Sequence, residues 1–124
     1  MCGIAGIYQA NKNHNKDLRD ILNIIKHRGP DNAGIWNNRN ISLGNVRLNV
    51  VDLDYRSNQP FISNKKRFII VFNGEIYNYI SLKKKYNIKT KTNSDTEVIT
   101  ELFAKIGTKT FSVLEGMFAI AIYD

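Results

Sequence analysis

The 124-residue chain has one cysteine, two prolines, one tryptophan and two histidines. Each scarcity excludes something. A lone thiol cannot close an internal disulfide, so the small disulfide-stapled secreted scaffolds are out, and a reducing cytoplasm is the expected compartment. One Cys and two His at irregular spacing do not make a zinc ligand set, and no metal site is expected. No long Gly/Ser/Pro stretch interrupts the chain, so no linker or domain boundary is visible. No apolar run is long enough to span a bilayer, and the first residues lack a charged segment followed by an apolar secretory core. The eight glycines form no phosphate-cradling loop. Acidic residues are the minority, 11 against 18 Lys and Arg, for a net charge of +7. That balance suits nucleic acid. The densest basic cluster, "SLKKKYNIKTKT", nonetheless lacks interleaved aromatic or Arg-Gly platforms and reads as a solvated face. Neither a nucleic-acid nor a membrane partner is expected.

What is present is apolar periodicity, with 43% of residues hydrophobic. Residues 3–8 read as a short buried strand in close contact with another backbone. "NKNHN" is a polar turn. From Lys16 to Lys26, Leu18, Ile21, Leu22 and Ile25 share a helical face, and Gly29-Pro30 stops that helix. Ile35-Trp36 and Ile41–Leu43 flank "NNRN", a hairpin pattern. "RFIIVF" is strongly β-forming and ends at Asn73-Gly74, a pair suited to a left-handed turn. Residues 76–86 suit a helix. Ser94 with Glu97 fits a capping box opening a second helix, which carries Val98, Ile99, Leu102, Phe103 and Ile106 on one face and ends at Gly107. "MFAIAIY" is a last strand that wants neighbours on both sides. Strands interrupted by helices give an α+β or layered α/β class.

The chemistry-bearing residues stand at the ends of these elements. Each has a bland reading: Cys2 as a small buried hydrophobe, Arg47 as a surface charge, Asn73-Gly74 as an ordinary turn. Asp95 would merely favour a helix N-terminus, and His27 and Arg28 a helix C-terminus. The sharper reading begins at Cys2. Removal of Met1 would give that residue both a thiol and a free α-amine.

Taken together, "MCGIAGIY", "HRGPDNAG", "VRLNVVD", "NQPF", "FNGEIYN", "NSDTEV" and "LEGMFAIAIYD" resemble, in order and over essentially the whole chain, the class II glutamine amidotransferases. More narrowly they are similar to the N-terminal glutaminase domain of glutamine-hydrolysing asparagine synthetase, with the same glutaminase half serving a sugar or peptide amidation, or a non-catalytic truncated remnant, as the alternative readings. The resemblance implies an N-terminal-nucleophile hydrolase fold, a four-layer αββα sandwich, incomplete here at its C-terminus. It implies Cys2 as nucleophile and base, with the Asn73 side chain and the Gly74 N–H as oxyanion donors. Arg47 would hold the glutamine carboxylate, Asp95 the ammonium with Glu75 assisting, and Leu48, Val50 and Val51 would complete the pocket. Arg28 would belong to a loop lining or covering the site.

The sequence departs from the family at Asn49, where a small hydroxyl residue is frequent. The resemblance also implies that residues 1–124 are the N-terminal part of the amidotransferase domain, with the synthetase domain missing. Partners would be glutamine, that synthetase domain in cis or in trans, and a second copy as homodimer. This chain would hold no cofactor, ATP and Mg being needed only by the synthetase domain. Alone, it is expected neither to make asparagine nor to hydrolyse glutamine well, because residues 117–123 would lie at an unfinished sheet edge.

Overall fold

The computed structural model describes residues 2–9, 14–50 and 52–124. Among these described residues, six strands and three α-helices form an α+β domain with two antiparallel sheets of three strands each. The first sheet has β3 (Ile41–Arg47) at its centre, between β1 (Gly3–Tyr8) and β2 (Asn32–Asn37). The second has β5 (Ile69–Ile76) between β4 (Phe61–Ile62) and β6 (Gly116–Tyr123). Helix α1 covers Asn15–Ile24, α2 Tyr79–Lys85 and α3 Asp95–Ile106.

Side-chain alternation along the strands sorts the apolar residues into three clusters. Val46 packs with Leu18 and Leu22 of α1, joined by Ala5 and Ile7 of β1. Leu43, Ile69 and Val71 meet between the sheets, with Ile4, Trp36 and Tyr123 beside them. The rings of Trp36 and Tyr123 lie 5.1 Å apart, and Asn38 donates to the Tyr123 hydroxyl at 2.7 Å. Ile70, Phe72 and Ile76 point the other way, against Leu82 of α2 and Val98, Ile99 and Leu102 of α3. The same alternation, carried to the strand ends, sends Cys2, Arg47 and Asn73 toward the space between the sheets. That end of the sandwich is where the site forms.

Several sequence expectations are corrected. Asn73-Gly74 is not a turn: β5 runs through it to Ile76, paired with β6 from Ile69↔Tyr123 to Ile76↔Gly116. The register, not the local dipeptide, wins, because eight pairings outweigh one turn preference. Strand β1 is half-buried rather than buried, since it pairs only with β3 and leaves Tyr8 exposed. The first helix ends early, at Ile24, and a 3-10 turn at Lys26–Arg28 follows. Gly29 then serves close packing rather than a left-handed cap, because a Cβ there would lie 2.4 Å from the Val46 carbonyl carbon. Helix α2 starts three residues late, at Tyr79, β5 having claimed Ile76. On α3, Phe103 and Ile106 are only half-buried.

The capping box is also only half made. Ser94 accepts from the Thr96 N–H at 3.1 Å, but Glu97 turns away from the cap. Its buried carboxylate instead receives the N–H groups of Lys91 and Thr92 and the Thr92 hydroxyl, the last at 2.6 Å. The preceding loop supplies more donors than the single Ser94 N–H could. The "NKNHN" turn lies largely outside the described residues.

Candidate active site

A cavity of about 320 Å³ opens where the two sheets and the N-terminus of α3 meet. Cys2, Arg47, Leu48, Asn73, Gly74 and Asp95 all line it, as do Val50 and Glu75. The register of β1 on β3 delivers the first of these. Gly3 pairs with Val46, so Cys2 falls beside the end of β3, its Sγ 3.7 Å from the Leu48 carbonyl. From the other side Arg28 donates its Nε to the Cys2 carbonyl at 3.1 Å. Arg28 is thus a brace on the Cys2 backbone and does not line the cavity wall.

Arg47 is buried, and its guanidinium is held entirely by neutral acceptors: the carbonyls of Asp52 and Asp54, and Asn58 Oδ1 at 2.7 Å. No carboxylate pairs with it among the described residues. The Asp54 carboxylate feels the Arg47 charge but is bonded by Arg56, so the guanidinium is oriented without a directly paired carboxylate, which suits a group that receives an anion.

Strand β5 is built to leave donors free. Its edge toward β4 is paired only at Ile69 and Ile70. Beyond that, side chains replace the missing strand. Gln59 Oε1 accepts from Phe72 N at 2.6 Å, and Asp95 Oδ2 accepts from Ile76 N at 3.2 Å. Alternation sets the Gly74 N–H on that same edge, between the two occupied ones and facing the cavity. Gly74 has φ +154°, and a Cβ on it would lie 2.1 Å from the Met117 carbonyl oxygen. Only glycine fits. The neighbouring Asn73 Oδ1 is buried with no hydrogen-bond partner among the described residues.

Asp95 is buried at the first turn of α3. Burial pushes its carboxyl above the ordinary range, against the hydrogen bonds from Ile76 N and the Thr96 backbone, and the Glu75 charge adds to the rise. The ionised form therefore costs stability: the favourable contribution is complete at low pH and is lost as pH rises through the raised pKa. Asp95→Asn is expected to melt a few degrees above the parent at pH 7, with the difference vanishing on acidification below the ordinary carboxylate range. Thermal melts across pH check this. A lower melting temperature for the Asn variant at every pH would contradict it.

Three cavity residues that sequence reasoning passed over matter most: Asp52, Gln59 and Thr96. The "NQPF" motif contained the glutamine, but no local signal announces that a side chain 13 residues away replaces a strand partner. Val51 lies outside the described residues. Asn49 donates its N–H to Asp31 Oδ2 at 2.8 Å and does not line the cavity.

With this geometry in place, comparison with known proteins is decisive. The family model for the glutamine amidotransferase domain matches residues 1–124. The chain belongs to that family. It is 41% identical to a putative glutamine-hydrolysing asparagine synthetase 2 of Methanocaldococcus jannaschii, covering 100% of this chain and 28% of the relative. It is 36% identical to asparagine synthetase B of Escherichia coli, covering 100% and 23%, and 32% identical to asparagine synthetase 1 of Bacillus subtilis, covering 100% and 21%. The amidotransferase chain thus spans about a quarter of the length of these curated relatives. Among its described residues no helix is long and apolar enough to cross a membrane.

Proposed function

We propose that this domain hydrolyses glutamine to glutamate and ammonia through a thioester on Cys2. The observation that carries the reading is a single cavity with a thiol, an uncommitted N–H edge and opposite charges. Its guanidinium, held by neutral acceptors and unpaired with any described carboxylate, and its buried carboxylate match the α-carboxylate and α-ammonium of an amino acid. Arg47 would take the carboxylate, Asp95 the ammonium with Glu75 near it, and Leu48 and Val50 would flank the side chain.

With Met1 removed, the Cys2 α-amine accepts the thiol proton, an α-amino group ordinarily titrating at about 7.7–8.0. The thiolate adds to the carboxamide carbon, and the oxyanion receives the Gly74 N–H and the Asn73 amide. Loss of one such donor costs about 10²–10³ in turnover. Collapse breaks the C–N bond, the amine returns its proton to the leaving ammonia, and water then hydrolyses the thioester. Nucleophile and base are one residue, so no histidine is required.

The four-layer αββα arrangement is inferred from the succession of α1, the two sheets and the α2–α3 layer, separated by the three apolar clusters. By likeness to the relatives, the ammonia would serve ATP-dependent amidation of aspartate in a synthetase region, in a cytoplasmic enzyme.

The test is ammonia release from glutamine, with intact mass after exposure to a glutamine analogue bearing an electrophilic diazoketone in place of the carboxamide. A covalent adduct confined to Cys2, in protein lacking Met1, is the expected result. Full turnover in protein that retains Met1 would overturn the single-residue mechanism.

A further inference from the structure

Asp52 has no role in the chemistry above, yet its hydrogen bonds reach both halves of the cavity. Its carbonyl accepts from Arg47 Nη2. Its carboxylate accepts from Asp54 N at 2.9 Å, Ser57 Oγ at 2.7 Å and, 41 residues away in sequence, Asn93 N at 2.9 Å. Asn93 directly precedes Ser94, the N-cap of α3, and stands two residues before Asp95. One residue therefore grips the support of the positive end of the cavity with its main chain, and the support of the negative end with its side chain.

One other bond ties their flanks, from Gln59 Nε2 to Thr96 Oγ1 at 3.4 Å. The loop at 52–58 exposes Leu53 and Tyr55, so packing contributes little to its shape. Its order comes from hydrogen bonds: Asp54 accepts from Arg56 N at 2.8 Å and Asp52 from Ser57 Oγ. On the opposite side, Glu97 already fixes residues 91 and 92 through their N–H groups. With Asn93 tied to Asp52, the approach to Asp95 is pinned from two directions. Three donors converge on one carboxylate, and hydrogen bonds to an ionised acceptor are about twice as strong as neutral ones.

We propose that Asp52 is a positioning residue that locks the carboxylate clamp and the ammonium site to each other, setting the Arg47–Asp95 separation for an α-amino acid. The inference rests on the glutaminase reading. It assigns Asp52 a part in substrate selection, because a ligand with both charges needs the fixed separation and a ligand with one does not. Glutaramate, which is glutamine without its α-amino group, uses the clamp but not Asp95.

The experiment compares the full chain with Asp52→Ala, Asp52→Asn and Ser57→Ala, using glutamine as substrate and glutaramate as competing ligand. Asp52→Ala is expected to raise the glutamine KM about tenfold while kcat changes less than about threefold, a loss appropriate to hydrogen bonds on a charged group. Glutaramate affinity should fall by no more than about threefold. Amide hydrogen exchange at residues 93–96 of the ligand-free chain should speed up in Asp52→Ala and not in Ser57→Ala, which keeps the bond to Asn93. Asp52→Asn retains one acceptor but faces another donor with its own N–H, and should fall between. If Asp52→Ala shows no cooperative melt, Asp52→Asn carries the same comparison.

Equal penalties on both ligands would overturn the proposal, as a merely structural loop residue predicts. Unchanged exchange at 93–96 would also overturn it, since a direct Asp52–ammonium contact leaves the free chain unaltered. If the parent chain binds no glutamine, the glutaminase reading fails and the positioning role falls with it, whereas the ligand-free exchange still reports whether Asp52 ties the two segments.

Discussion

In protein that turns over glutamine, Cys2→Ala is expected to eliminate ammonia release while glutamine still binds. The thiol does little for the fold. Cys2 is half-buried, its one side-chain hydrogen bond among the described residues is the long Sγ to Leu48 carbonyl approach at 3.7 Å, and its backbone is braced by Arg28. Removing Sγ leaves Arg47, Asp95 and the β5 edge in place, so recognition survives. Chemistry does not, because Cys2 supplies the only thiol among the described cavity residues, and the Ser94 and Thr96 hydroxyls that also line it are engaged by Thr96 N and Gln59 Nε2. Removing the nucleophile of a comparable acyl-transfer site costs about 10⁶ in kcat, which sets the scale. A coupled ammonia assay reads turnover. A thermal shift with saturating glutamine reads binding, and a ligand at 100 times its Kd adds about 2.7 kcal/mol to stability. The expected pattern is no turnover with an undiminished shift. Measurable hydrolysis by the alanine variant would place the nucleophile elsewhere.

Gly74→Ala is expected to damage stability and turnover together. At φ +154° a Cβ would lie 2.1 Å from the Met117 carbonyl oxygen and 2.7 Å from the Phe118 Cα, both backbone atoms of β6 that cannot step aside as a side chain could. Relief requires β5 and β6 to separate just where the proposed oxyanion donor, the Gly74 N–H, stands. A strained backbone position alone costs about 1–3 kcal/mol, and the steric clash adds to it. A loss of about 3 kcal/mol lowers the melting temperature by roughly 10 °C in a domain of this size. Gly6→Ala is the control. The Cβ there meets the Leu43 Cδ2 at 3.2 Å, the movable end of a side chain, and its effect should stay below about 1 kcal/mol. A Gly74→Ala protein that melts with the parent and turns over normally would show that the N–H edge is not the oxyanion site.

Features that depend on neighbours in the chain were legible before the fold was known. Ser94 caps α3 because a hydroxyl reaches the N–H two residues on, and Gly107, at φ +62°, ends that helix. Residues 35–43 make a hairpin because alternation and a polar turn act locally. Leu18 and Leu22 are buried because they share a helix face. The chemical vocabulary was equally readable, since Cys2, Arg47, Asn73, Gly74 and Asp95 are identities, and identities are what a sequence contains.

The assembled site came from contacts between residues far apart in the chain. Asn73-Gly74 favours a turn in isolation and becomes strand only because eight pairings to β6 override it. Glu97 suits a capping box until the loop at 91–92 offers it three donors. Gln59 stands in for a strand partner of Phe72, which nothing in "NQPF" suggests. Asp52 looks like one more acidic loop residue until Asn93 arrives at 2.9 Å. The order of amino acids settled which chemical groups were available and which short segments were helix or strand, because those depend on side-chain identity and local backbone preference. Three-dimensional packing decided which backbone N–H groups stay unpaired and which buried charges lack a counter-charge. Those are properties of what packs against a group, and they set the electrostatics of the site.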